Sequence, residues 1–448
     1  MIPQQAVKSV MFVNHCYYNH WYVSRELRKL GWKADVVSTD SAAQNQMYYH
    51  GTDVFIYRDT DLPRRINYFI GCLNTYQIFH FANTEGITLI HDFDIVERKQ
   101  DNSFKTRLHA GILSYIDKRI IRNKLPNLFR LYNLIIKLIG VKGFTRVLKH
   151  FMPYLPLRWD ILLLKRMGKK IVYTNNGCRD GVSKTSFSKW KTAIDESVCD
   201  ICRYYADSVI CSDEKNLKWG AFRNAVADYQ CLLGGNRIDF NDAPSVHEVP
   251  EIYALDSNFW RPNIFVPTNY KLPLSEKTVK LYHAVGNYEV RTHGDNRTIK
   301  STHIYVPLVE KLQSQGYDVE LIFFTDLPNK IVRYYQAQAD VFVDMLTYGF
   351  FGANLREGMM LGKPCVCYLR PEWMEEMRRE IPEYADELPI INANPDTIEE
   401  ILKDLILNPA KRKEIGRKSR EFAVKWHSSE AGGKRMDEIY SSLLKKHS

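Results

Sequence analysis

The stretch Ala339–Val366, ADVFVDMLTYGFFGANLREGMMLGKPCV, decides how this chain is read. It opens with an apolar run, Val341 to Met345, of the length and composition of a buried strand, with Asp344 near its carboxyl end. Gly349 and Gly352 follow, residue types that let a backbone approach a ligand closely. The pattern then predicts a helix from about Ala353 to Leu361 with Glu357 in its early turns, Gly362 as its cap, and a further strand from Cys365 to Tyr368. The exposed amides of such a helix start suit a phosphate or sugar hydroxyls, and a carboxylate beside them suits a ribose.

Outward from this stretch the alternation of strand and helix continues. Upstream lie a strand at Val279 to Val285, a helix from Ile299 to Gln315 stopped by Gly316, a strand at Val319 to Phe324 and a helix reaching Ala337; downstream, Asn394 and Pro395 open another helix. The first half repeats the theme with strands at Ser9 to Val13, Ala34 to Val37, Val54 to Tyr57, Gln77 to Phe81 and Lys170 to Thr174. The fold class is therefore α/β, with two doubly wound, Rossmann-like domains. Pro262 to Pro273 holds three prolines and no clear period, and serves as the linker. The expected boundaries are 1–270, 271–425 and a terminal helix, 426–448, packing back on the first domain. Sheets of this kind bind ligands at the carboxyl ends of their strands, so a site shared across a central cleft is expected.

Gly352, Glu357, Gly362, Pro364 and Val366 fall on the signature E-G-F-G, four residues, E-A, then G-x-P-V-V, with Phe351 in the aromatic place and Cys365 for the first valine. In this the chain resembles the GT-B glycosyltransferases of the large family 4 type, over roughly Thr278 to Leu407. The family's first glutamate, eight residues before Glu357, is Gly349 here. The segment LYHAVGNYEVRTHGDNRTIKST, Leu281 to Thr302, is similar to the family's donor-diphosphate loop. The resemblance implies a donor site of His283, Arg297, Lys300, Gly349, Phe351, Gly352, Leu355 and Glu357. It also implies His80 and Asp344 as catalytic candidates, with Asn14, His15, Asn175 and Asn176 on the acceptor side. Arg297 and Lys300 would neutralise the leaving nucleoside diphosphate, so no cofactor and no metal is expected, and retention of configuration is implied. Rivals are a nucleotide-sugar epimerase, a glycerophosphotransferase, and a non-catalytic membrane or nucleic-acid binder on the same scaffold.

The 448 residues carry 45% hydrophobic and 25% charged side chains, the usage of a globular protein with ample core material. The net charge is +10, and residues 102–158 hold twelve basic side chains against one acid, Asp117, which accounts for all of that excess. Those cations, Lys118, Arg119 and Arg122 among them, interleave with Leu113, Ile120, Leu134 and Ile135, the composition of a membrane-surface element, with a solvated helical insertion whose apolar side joins the core as the alternative. The expected partners are a nucleotide sugar, a glycan or lipid-linked acceptor and an anionic membrane surface, with a cytoplasmic, peripheral location and no nucleic acid. Nine cysteines without a regular framework fit a reducing compartment, and the CxxC of Cys199 and Cys202 reads as buried thiols rather than a zinc site. Two DxD triplets, Asp59 to Asp61 and Asp92 to Asp94, are read as accidents, and Walker A, GxGxxG, GxSxG and HExxH patterns are absent.

Overall fold

The computed structural model describes residues 7–445 except 16, 58–61, 83–85, 89–136, 141–142, 144–145, 148–157, 176, 178–179, 201, 203, 207–210, 233–236, 287 and 293–296. Most of the basic segment, and both DxD triplets, lie outside the described residues. The first domain runs β1 (Ser9–Val13), α1 (Asn19–Lys29), β2 (Lys33–Ser38), α2 (Ala42–Tyr48), β3 (Val54–Phe55), α3 (Leu62–Thr75), β4 (Ile78–Phe81), α4 (Trp159–Arg166), β5 (Lys170–Thr174), α5 (Lys184–Phe187), α6 (Asp213–Val226), β6 (Tyr229–Leu232) and β7 (Val246–Glu248). Its sheet has the order β3-β2-β1-β4-β5-β6-β7, with every pairing parallel.

The second domain runs β8 (Val279–Val285), α7 (Tyr288–Arg291), α8 (Thr302–Ser314), β9 (Val319–Thr325), α9 (Asn329–Gln338), β10 (Val341–Val343), α10 (Ala353–Met360), β11 (Cys365–Cys367), α11 (Pro371–Glu380), α12 (Pro382–Glu387), β12 (Ile391–Asn392), α13 (Ile398–Leu407) and α14 (Pro409–His427). Its parallel sheet is ordered β12-β11-β10-β8-β9. The order reverses between β1 and β4 in one sheet and between β8 and β10 in the other, which opens a crevice at each of those carboxyl ends. The central strands of the first sheet are buried throughout, including all five residues of β1 and of β5 and all four of β4.

Helix α13 starts at Ile398, not at Asn394, because the Asn394 side chain accepts from the Asp396 and Thr397 amides (both 3.0 Å) and so closes a turn ahead of the helix. Helix α8 likewise starts at Thr302, after Ser301 in a left-handed conformation with φ 59. Beyond α14 a last helix, α15 (Ser429–Lys445), packs along α1 of the first domain. The chain thus passes between the domains twice, and the two passages are joined: Leu255 N donates to His427 O (2.8 Å) and Ser429 N to Leu255 O (2.7 Å). One buried cluster takes side chains from both domains, including Phe12, Tyr22, Trp260, Tyr282, Phe342 and Tyr440. Burying a large apolar side chain contributes about 1.5–3 kcal/mol, so this shared core ties the two halves strongly. Among the described residues no helix is long and apolar enough to cross a membrane.

Candidate functional site

At the carboxyl ends of β8 and β10 the second domain gathers its charged residues. Asp344 leaves β10 fully buried, and Lys300, just before α8, places its Nζ 2.8 Å from Oδ2 and 2.7 Å from Oδ1. An isolated charge this deep would be costly; the pairing is what permits it. Ser301 fixes the loop by accepting from Leu346 N (3.0 Å) through its Oγ. Gly352 precedes α10, and a Cβ there would stand 2.9 Å from Lys300 Nζ, so the absence of a side chain lets the helix start close on the ammonium. His283 is a buried strut, with Nδ1 3.2 Å from Val343 O and Nε2 2.9 Å from Thr302 Oγ1; burial lowers its pKa to about 4, so the ring is neutral. Arg297 lies half-buried three residues before Lys300.

Glu357 is buried in α10, and its carboxylate is fully engaged. Tyr18, the residue preceding α1 in the first domain, donates its hydroxyl to Oε1 (2.7 Å), while Gln336 of α9 donates its amide to Oε2. Burial raises the carboxyl to about 6, partly offset by the Tyr18 and Gln336 bonds and by Lys300, while Asp344 raises it further.

Gly349 has φ +95, and a Cβ there would come within 2.6 Å of the Arg370 Cβ. No side chain fits, which is the physical reason a glycine stands where the resemblance would put a glutamate. The Arg370 guanidinium lies instead over the Trp190 ring of the first domain, at 3.9 Å. Phe351 and Leu355 are wholly buried in the core, where Phe351 packs on Trp373 and under the Arg356 guanidinium (4.4 Å). These two shape the site from behind rather than from the cleft.

In the first domain Asn14 ends β1 in a left-handed conformation (φ 63) and spends its amide on Thr39, accepting from Thr39 N (2.6 Å) and donating to its Oγ1 (2.7 Å). His15 stacks on Tyr49 at 4.2 Å and sets Nε2 2.8 Å from Thr52 Oγ1; burial holds its pKa well below the usual range. Asn175 belongs to a buried network in which Arg223 donates to its Oδ1 (2.6 Å) and Asn175 donates to Asn241 (2.9 Å). Asn176 lies outside the described residues. His80 sits inside β4 with both nitrogens engaged, Nδ1 2.6 Å from the Tyr440 hydroxyl of α15 and Nε2 2.6 Å from Thr174 Oγ1. The structure thus brings Lys300, Asp344, Gly352 and Glu357 together. It sets His80 and Asn175 in the first domain's interior.

Sequence reasoning missed Tyr18, Gln336, Arg370 and Trp190. A cavity of about 350 Å³ opens between the α2 to β3 connection and α9, walled by Tyr49, His50, Thr52, Phe55 and Lys330. Among the described residues no three His, Cys, Asp or Glu side chains come together as a metal site; Cys199 and Cys202 form no disulfide, and of the two only Cys199 is buried, Cys202 being half-buried.

No family model matches the chain, and no curated protein matches it. Among solved structures, the chain is similar to HepE of Anabaena in its crystal structure with UDP-glucose, at TM-score 0.50 and 10% identity, over 97% of this chain and 99% of that one. It is also similar to sucrose-phosphate synthase of Thermosynechococcus elongatus, at TM-score 0.48 and 13% identity, over 98% and 100% of the two chains. At such identities the likeness is one of architecture alone. The chain has the GT-B fold.

Proposed function

We propose that this protein is a glycosyltransferase that moves a sugar from a nucleotide diphosphate sugar to an acceptor hydroxyl. The observation that carries the reading is the meeting of Lys300, Asp344 and Glu357 at a glycine-started helix, at the switch point of the second sheet of a GT-B fold. In this reading the donor diphosphate lies against Lys300 and Arg297, and the α10 amides face it. As the sugar's anomeric bond to the diphosphate breaks, the two cations hold the departing charge, which replaces a divalent metal. Asp344 orients the Lys300 ammonium, the backbone from Gly349 to Gly352 lines the sugar, and Glu357 holds the ribose. The first domain supplies the acceptor side from the Asn14 and His15 loop. The sugar keeps its configuration if donor departure and acceptor attack share one face.

UDP-glucose, present in the crystal structure of HepE, is the first ligand to try. The acceptor proposed is a glycan or lipid-linked intermediate of bacterial surface polysaccharide, met at the cytoplasmic face of an anionic membrane through the cations of residues 102–158. Loss of anionic-liposome binding on replacing Lys118, Arg119 and Arg122 is expected, and an intact protein that ignores such liposomes removes the membrane part.

The test of the donor site is thermal stability against UDP, GDP, dTDP and CMP sugars, with and without EDTA. A ligand at 100 times its dissociation constant adds about 2.7 kcal/mol. One nucleotide should stabilise the protein in EDTA and lose its effect in Glu357→Ala. A protein indifferent to all of them is not a nucleotide-sugar enzyme.

A further inference from the structure

The carboxylate best placed for a ribose is already occupied, and the occupant comes from the opposite domain. Tyr18 and Glu357 lie 339 positions apart, yet the phenol donates to Oε1 at 2.7 Å inside a fully buried setting. The Tyr18 ring is itself gripped, with His50 at 4.8 Å, Trp260 at 4.7 Å and Tyr22 at 6.0 Å. Gln336 fills the other carboxylate oxygen. Two hydroxyl or amide donors on the two oxygens of one carboxylate are what a vicinal diol would offer in their place. Elsewhere the cleft is also shut. Ala193 N donates to Thr347 O (2.9 Å), Asn329 donates to Tyr48 O (2.9 Å), and Arg237 pairs with Glu380 (2.6 Å).

We propose that the Tyr18 to Glu357 hydrogen bond is an autoinhibitory contact: the phenol hydroxyl stands in for a ribose hydroxyl of the donor, and nucleotide enters only as the domains part and Tyr18 withdraws. The inference rests on the donor site proposed above. A charge-assisted hydrogen bond of this kind favours the closed, empty form, and apparent affinity for nucleotide falls by the fraction of molecules that are open. Deleting the hydroxyl while keeping the ring removes that bias and leaves the Lys300 and Gly352 contacts untouched.

The experiment is titration calorimetry of UDP into wild type and Tyr18→Phe, with X-ray scattering of both proteins alone and with UDP. Tyr18→Phe should bind UDP about tenfold more tightly, the factor that about 1.4 kcal/mol gives. It should also show, without ligand, part of the increase in radius of gyration that UDP causes in wild type. Wild type that binds UDP while Tyr18→Phe binds it equally or more weakly overturns the latch and leaves the donor site standing. An unchanged radius of gyration in both proteins with UDP also overturns it. Failure of both proteins to bind UDP or any other nucleoside diphosphate overturns the donor site and the latch together. A melting curve of Tyr18→Phe confirms that the variant is folded before the affinities are compared.

Discussion

Glu357 has a measurable signature of its own. Its carboxyl is raised from 4.5 to about 6 in the folded protein, chiefly by burial, so folding favours its protonated form. The stability this shift contributes is complete below about pH 4.5 and is lost as pH climbs through about 6, some 2 kcal/mol in all. The buried histidines act in the opposite sense: His20 and His283 are lowered to about 4 and resist charging, so acid destabilises through them. Comparison with Glu357→Gln cancels the histidines. From pH 7 to pH 4.5 wild type should gain about 2 kcal/mol over the variant in urea melts, and a flat difference would contradict a raised carboxyl. The residue itself was legible in the sequence, because a helix start after glycines has a local pattern. Tyr18 was not, because nothing in the spacing around it points to a partner in the other domain. His80 illustrates the reverse: a histidine near a strand end reads as chemistry, while Tyr440 and Thr174, distant in sequence, engage both of its nitrogens.

Helices α1 and α15 meet through glycine. A Cβ on Gly433 would lie 2.3 Å from the Glu26 Cβ, and one on Gly432 would lie 2.7 Å from Glu251 O. Gly433→Ala gains about 1 kcal/mol of helix propensity but forces the helices apart, an overpacking cost of about 1–3 kcal/mol. The net expected is destabilisation, read as a lower urea midpoint; a higher midpoint would mean that the helices do not touch there. The elements themselves were read from sequence where burial on both faces leaves a nearly continuous apolar run, as in β1, or where a seven-residue strand stays mostly apolar despite one or two polar residues, as in β8 and β9. Strands β6 and β7 escaped because they are short and carry polar residues, Gln230, His247 and Glu248, within the run. Helix α13 was placed early because asparagine followed by proline signals a turn as readily as a helix start.

For the molecule as a whole, the cluster joining Phe12, Trp260, Phe342 and Tyr440 spans both domains, so unfolding of either half strips the other of a large part of its core. Calorimetry should show one transition whose van't Hoff and calorimetric enthalpies agree; two separated peaks would mean the domains melt alone. The two-domain plan was legible from the alternation of strands and helices, whereas the closed cleft depends on contacts such as Ala193 with Thr347 that no local pattern encodes. The stitching of Leu255 to His427 and Ser429 bears on how such a cleft can work. Two covalent threads fastened side by side act as a single pivot. They leave one soft torsion, a swing of the halves toward and away from each other, and they oppose sliding, which would shear both backbone hydrogen bonds at once. Lys300 and Glu357, on one plate, would then return to the same register with the Asn14 and His15 loop, on the other, after every cycle of opening.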